Sequence, residues 1–460
     1  MKKSLKITAL IILSSIILFL VYACITFPPV MAGMAAKTMC SCVYVTGRTP
    51  ESVREKELQV FPGVSRARVE FDDTDSTVTA KILWKTSKAI FRKGLGCTLL
   101  ATLSEDEIRR QHIELATKPF TNQDSLAWPT GNITYDSLLP KVKYEACNQA
   151  IEEAFVEKNP KKPVFTHAVI VVYDGQIIGE KYATGLDRNS RLMGWSMTKS
   201  VTNALIGILV KEGKLELEAR APVSEWQNDD RREITLNHLL QASSGLSWSE
   251  SYFVPTSPFH NMFTRSDDKA AYAASRKLKH KPGEHFQYSS GTTNILSRII
   301  RQTVRDEQYY RFPYEKLFYK TGMNHAMIEP DPSGTFVCSS YGYASARDWA
   351  RFGMLYLNDG VWNGEHILPE GWVKYSTTPA MVSEMGEYGA HWWLNKGARD
   401  STRIRKYPEL PADAYWADGF EEQYVMVIPS KKLVIVRLGV SHYGFDFAKL
   451  VTDIIKSLPE

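Results

Sequence analysis

The chain opens on a long apolar run. No charged residue occurs across 7–36, and Lys2, Lys3 and Lys6 stand immediately before it. Residues 7–26 alone are about long enough to cross a bilayer as a helix, at roughly 1.5 Å per residue. Beyond this run the pattern breaks into short elements. Strands are expected near 77–84, with a glycine-rich turn near Gly94, and 49–55 reads as a helix opened by Pro50. Pro129 begins a loop boundary, and 144–157 has the spacing of an amphipathic helix. Residues 167–173 form an apolar strand, Asp174 and Gly175 a two-residue hairpin turn, and 176–182 the partner strand. After Ser196 a helical period runs through Val201, Leu205, Ile208 and Leu209 until Gly213 offers a C-cap. The middle of the chain is mostly helix and loop, with Thr235 as an N-cap and an alanine-rich helix over 267–278. Strands return at 391–394, and 424–428 and 433–438 flank a turn. The closing helix, 445–458, places Phe447, Val451, Ile454 and Leu458 on one face.

This order predicts an α+β domain with a helical insertion and a cleft between sheet and insertion. Three segments follow: 1–36 as a signal anchor or transmembrane segment, 37–128 as an accessory segment packed on the catalytic part, and 129–460 as the main domain, with the insertion at about 225–335.

Candidate chemistry sits where the strand hairpin hands over to the helix. Ser196, Met197, Thr198 and Lys199 read S-x-x-K at the first helical turn, and Tyr288, Ser289 and Ser290 form a second polar triplet. A lysine three residues after a serine on a helix returns its amine to the same face, where it can take the hydroxyl proton. A helix N-terminus also favours the negative charge that develops during attack, and burial makes an amine a better base by lowering its pKa. The motif alone is common, since a chain of this size holds roughly one or two matches by chance. A second match, Ser266 to Lys269, is interrupted by Asp267 and Asp268 and reads as a solvated turn.

With these motifs the stretch from about 160 to 460 resembles the serine β-lactamase and penicillin-binding-protein superfamily, in its class C-like branch of esterases, D-aminopeptidases and 6-aminohexanoate-dimer hydrolases. The likeness extends to Leu239 through Leu246, to 344–353 and to 360–369. It implies an antiparallel sheet flanked by helices, Ser196 as nucleophile, Lys199 as its base and Tyr288 as proton relay to the leaving group. Relatives carry Lys-Thr-Gly or His-x-Gly on a strand facing the nucleophile, whereas this chain reads Gly419, Phe420, Glu421, Glu422, Gln423. The missing cation weakens the case for β-lactams or peptides ending in D-Ala. By the same resemblance the backbone N–H groups of Ser196 and Gln423 form the oxyanion hole, whose donors are each worth about 3 kcal/mol of barrier. Tyr252 is expected to touch substrate. His391, Trp392 and Trp393 read as core or pocket lining, with Trp392 assigned to the substrate pocket. Glu421 and Glu422 offer carboxylates to a substrate ammonium, the plain alternative being a solvated edge.

Composition narrows the classes further. Net charge is +5 and mixed along the chain, and the basic run 276–281 abuts Pro282 and Gly283, so no nucleic-acid surface is expected. Ten histidines are scattered without H-E-x-x-H, paired C-x-x-C is absent, and the Gly94–Gly96 stretch lacks the lysine of a phosphate loop, so neither metal nor cofactor is expected. The N-terminal lysines would stay cytoplasmic, which puts the main domain on the extracytoplasmic side of a membrane. A cleaved signal peptide usually has a shorter apolar core. Val21, Tyr22, Ala23 and Cys24 resemble a lipoprotein box, with Tyr22 an awkward fit, and an uncleaved anchor is the preferred reading. In an oxidising space Cys97 is expected to bridge to Cys40 or Cys42. The sequence thus points to a membrane-anchored serine hydrolase acting on small amides or esters. The alternatives are a D,D-peptidase or β-lactamase, and a catalytically silent binding or scaffold domain.

Overall fold

The computed structural model describes residues 2–459 apart from 62, 120–121, 135–136, 399–404 and 442. Its centre is a six-stranded antiparallel sheet. In spatial order the strands are Trp393–Leu394, Tyr415–Gly419, Gln423–Ile428, Leu433–Gly439, Thr166–Tyr173 and Gln176–Tyr182. The Asp174–Gly175 turn closes the last hairpin with φ of 45° and 80°, the left-handed pair that a two-residue turn between twisted strands requires. Strands Leu433–Gly439 and Thr166–Tyr173 pair antiparallel and join the two ends of the domain, with Ile435 opposite Val171.

Strand Thr166–Tyr173 is buried on both faces, so its alternation divides two cores. Val169 and Val171 point to the face covered by the helices Tyr144–Glu153 and Phe447–Ser457. Ala168, Ile170 and Val172 point to the face shared with helix Thr198–Lys211 and helix Ala346–Leu357. The region between strands contains the short helices Leu236–Leu240, Pro258–Arg265 and Lys269–Ala274 and the long helix Ser290–Val304. Thr235 caps the first of these, accepting from the His238 N–H.

The apolar N-terminus is one helix, Lys2–Cys40, passing through Pro28 and Pro29. It is the one helix among the described residues long and apolar enough to be a membrane anchor or a signal sequence. It does not stop at residue 36. Lys37, which interrupts the apolar run, is buried and forms an ion pair with Glu329. Glu329 also accepts from Ser41 Oγ at 3.0 Å and from the Cys97 N–H at 2.6 Å. The helix end is further tied by the Cys40–Cys97 disulfide to a four-stranded antiparallel meander, Arg68–Asp72, Thr77–Ile82, Lys85–Arg92 and Gly96–Leu99. Cys42 is left as a buried thiol. The segment after the apolar run therefore shares one small core with the helix, built on Ala35, Met39, Val78 and Ala89.

The second S-x-x-K stretch differs from its expectation as a solvated turn. Lys269 is buried, its amine donates to the Ser266 carbonyl at 3.1 Å, and its backbone N–H donates to Asp331 at 2.9 Å. Both residues serve the local packing of helix Lys269–Ala274, which Asp268 caps.

Candidate active site

Ser196 lies in a single 3-10 turn, Trp195–Met197, that runs directly into helix Thr198–Lys211. Trp195 is held at φ 47°, a left-handed conformation that costs a non-glycine residue about 1–2 kcal/mol. Its surroundings enforce it: the indole N–H donates to Glu421 at 3.3 Å, the ring packs edge-on against Phe420, and its carbonyl accepts from Thr198 Oγ1 at 2.7 Å. Strand Tyr415–Gly419 approaches this turn at Gly419, where a Cβ would fall 2.2 Å from the Gly194 carbonyl oxygen. Only glycine permits that approach.

The helical spacing read from the sequence brings the two ends of S-x-x-K together. Lys199 Nζ donates to Ser196 Oγ at 2.8 Å, to Ser290 Oγ at 3.1 Å and to the Ser339 carbonyl at 2.9 Å. Burial lowers its pKa to about 8, partly offset by the charges of Glu250 and Asp418. The Tyr288 hydroxyl is near enough to Ser196 for the serine to pull its pKa down slightly against burial, and its ring lies beside the amine, 4.8 Å from centroid to Nζ. Burial pushes that phenol well above its usual range, so it is a proton donor at neutral pH. Serine, amine and phenol thus meet at one point.

Several groups at this point carried no role in the sequence reading. Glu250 accepts from the Ser290 N–H at 3.0 Å, from Ser290 Oγ and from the Trp248 indole at 2.5 Å, so one carboxylate fixes the hydroxyl that holds Lys199. Asp418 is close enough to influence Lys199, Tyr252 and Tyr388, and burial raises its carboxyl to about 6. Ser290 belongs to the polar triplet and was visible in that sense; Glu250, two residues before Tyr252, had no pattern to announce it.

The predicted substrate residues separate. Tyr252 lines a small cavity together with Ser196 and Trp195, and packs against Phe259 and Phe420 at 4.7 and 4.9 Å. Gly33, Met34 and Lys37 of the N-terminal helix form part of the same wall. Trp392 is not in this cavity. It is fully buried, stacked on Phe352 and tilted against Tyr356, because successive residues of the extended chain leading into the strand face opposite ways. Trp393 is half-buried on the opposite side, 5.5 Å from the Tyr288 ring. His391 is a structural residue: its ring bridges the Lys199 carbonyl and Thr293, and burial lowers its pKa to about 3.

Glu421 is neither a solvated edge nor part of the Ser196 cavity. It is buried behind Trp195 in a neighbouring cavity with Arg48 and Glu57, and burial pushes its carboxyl well above the usual range. Glu421 and Glu422 both have φ of 64° and make the turn between the strands. Arg437 from the adjacent strand donates to their carbonyls at 3.2 and 2.9 Å. The cation near the third motif therefore holds backbone rather than substrate. The Gln423 side chain accepts from the Gly439 N–H at 2.9 Å, and the residue lines the cavity behind Trp195, whereas Phe420 lines the one beside Ser196. Among the described residues no group of three or more His, Cys, Asp or Glu is placed to hold a metal ion.

Residues 151–455 match the family model described as Beta-lactamase. The chain belongs to the β-lactamase family. Within it, the chain is 25% identical over 259 residues to a 6-aminohexanoate-dimer hydrolase of Paenarthrobacter ureafaciens, a match covering 51% of this chain and 65% of that relative. This β-lactamase-like fold also superposes on solved structures. A D-stereospecific amidohydrolase from Streptomyces sp. gives a TM-score of 0.52 at 16% identity, over 69% of this chain and 99% of that one. A penicillin-binding protein homolog from Caulobacter crescentus gives 0.53 at 16%, over 71% and 99%. At that identity the structures share the α+β fold with its antiparallel sheet.

Proposed function

We propose that this β-lactamase-family protein is a membrane-anchored serine amidase or esterase that works through an acyl-enzyme on Ser196. The observation carrying this reading is the 2.8 Å contact between Lys199 Nζ and Ser196 Oγ, with the amine's pKa near 8. A neutral Lys199 takes the Ser196 proton as Oγ attacks the substrate carbonyl carbon. The Ser196 N–H and an N–H of the 419–423 turn hold the oxyanion; Gln423 is the sequence candidate, and the cavity lining favours Phe420. Tyr288, protonated at neutral pH, hands a proton to the leaving amine or alcohol and recovers one through Lys199. Water then attacks the acyl group by the reverse path.

The substrate preference follows from charge. The turn's cation, Arg437, is committed to carbonyls, and Lys37, the cation that lines the cavity, is paired with Glu329. Such a site favours an uncharged or amine-bearing substrate over one with a carboxylate, which ranks linear amides and esters above β-lactams and D-Ala peptides. The name of the Paenarthrobacter relative agrees with this ranking. The anchor is residues 7–26, and the Cys40–Cys97 disulfide fits an oxidising, extracytoplasmic space.

A fluorophosphonate probe tests the core of the proposal. It labels the wild-type protein and not Ser196→Ala; equal labelling of both, or of neither, would favour a silent binding domain. Faster turnover of a chromogenic cephalosporin than of linear amides and p-nitrophenyl esters would reverse the substrate ranking.

A further inference from the structure

The accessory meander has mixed charge at one end, where Lys93 of its third turn joins Asp73 and Asp75 of its first, and mostly positive charge at the other. Its first turn, after Asp72, carries Asp73 and Asp75, and its second, Leu83–Trp84, lies at the opposite end because successive antiparallel turns alternate. At this second end the register sets Arg68 opposite Lys81 and Ile82 opposite Lys85. Leu83 and Trp84 are 64% and 61% exposed, unusual for large apolar side chains at a turn.

The same end abuts the N-terminal helix. Lys81, Ile82 and Leu83 line an open groove with Cys24, Phe27 and Met31 of the helix. Arg66 and Arg68 complete its rim; Arg68 also pairs with Glu70 at 2.9 Å. Along the helix, large apolar side chains are exposed from Ile7 to Ile25, and burial against the protein begins at Thr26. That exposed length is roughly 28 Å at the helical rise, close to the thickness of a bilayer's hydrocarbon layer. The groove therefore falls at the outer boundary of the membrane.

We propose that this groove binds a phospholipid with an anionic head group, and that Leu83 and Trp84 sit in the membrane interface. The inference rests on the membrane-anchor reading given above. Acyl chains follow the apolar side of the helix past Cys24 and Phe27, and the phosphate meets Arg66, Arg68 and Lys81. Tryptophan suits the interface because its ring is apolar with one polar N–H, and cationic side chains near an acidic surface add attraction. Charge and apolar surface coincide here and not at the Asp73 end, which favours a lipid over a protein partner.

The test uses the full chain in nanodiscs of phosphatidylcholine alone or mixed with phosphatidylglycerol. Native mass spectrometry should show preferential retention of phosphatidylglycerol, reduced about tenfold in the doubly substituted Arg66→Gln, Lys81→Gln protein. Brominated lipid should quench the part of the fluorescence that Trp84→Phe removes. Equal retention of the two lipids, retention unchanged by the double substitution, or an unquenched Trp84 would overturn the proposal, the last leaving the hairpin free for a protein partner. Extraction with alkaline carbonate separates the two readings. A chain that resists extraction but shows no lipid preference sinks the groove alone, and a chain that is extracted sinks the anchor with it.

Discussion

Lys199 and Glu250 are joined through one hydroxyl: Ser290 Oγ lies 3.1 Å from the amine and donates to the carboxylate. Glu250 does not reach the substrate cavity, so its part in the proposed reaction is to position Ser290 and, by charge, to favour the ammonium form of Lys199. Glu250→Gln keeps the shape and removes the charge. The expected result is a roughly 10- to 100-fold fall in kcat/KM, the equivalent of one charge-assisted hydrogen bond. The ascending limb of the pH profile should also move to lower pH, because a neighbouring anion raises an amine's pKa. A loss of rate with the limb unmoved would limit Glu250 to a structural role.

In the proposed reaction the active form of Lys199 in the wild type is the neutral amine, which grows in as pH rises through about 8. The kcat/KM profile should climb with an apparent pKa near that value, since this parameter reports the free enzyme. Lys199→Ala should lower acylation by roughly 10²- to 10⁴-fold, read as the burst in a stopped-flow p-nitrophenyl ester assay. A near-normal burst would remove Lys199 as the base.

Trp392 and Trp393 are adjacent and should behave as different kinds of residue. Trp392→Ala empties a fully buried site and should destabilise the fold by about 3–5 kcal/mol, measured by denaturant unfolding. Trp393→Ala removes a half-buried ring and should cost less stability than Trp392→Ala, while altering KM through its contact with Tyr288. Exchange of these two phenotypes would mean that the strand register is shifted by one.

The Lys37–Glu329 pair should show strong coupling. Lys37→Met strands a buried carboxylate and is expected to cost about 3–5 kcal/mol, whereas adding Glu329→Gln should restore part of that loss. Additive losses in the double-mutant cycle would show that the two charges act independently.

What the sequence made legible was what depends on near neighbours. The Asp174–Gly175 hairpin, the period of the Ser196 helix and the return of Lys199 to Ser196 all follow from spacing within one element. The accessory segment's disulfide was narrowed to two choices by its short list of cysteines. Residues whose meaning comes from a distant partner were not legible. Lys37 marked a boundary by its charge alone, because Glu329 is 292 positions away. Glu421 looked solvated because nothing nearby in sequence reveals Trp195 above it. Glu250 and Asp418 are single carboxylates in loop and strand, given a role only by the fold that brings them to one amine. The choice of Trp392 over Trp393 failed on parity, which a two-residue strand is too short to display.

Beyond the anchor role proposed for it, helix Lys2–Cys40 closes the chamber beside Ser196 with its far end. That closing stretch, 33–37, lies outside the residues that match the family model. A chain cut between Ile25 and Thr26, where the exposed stretch ends, keeps the stub and, with it, a roofed nucleophile. Trimming the protein back to its family region would instead leave Ser196 open to water on one side, so a fragment that folds well can still be a poor catalyst.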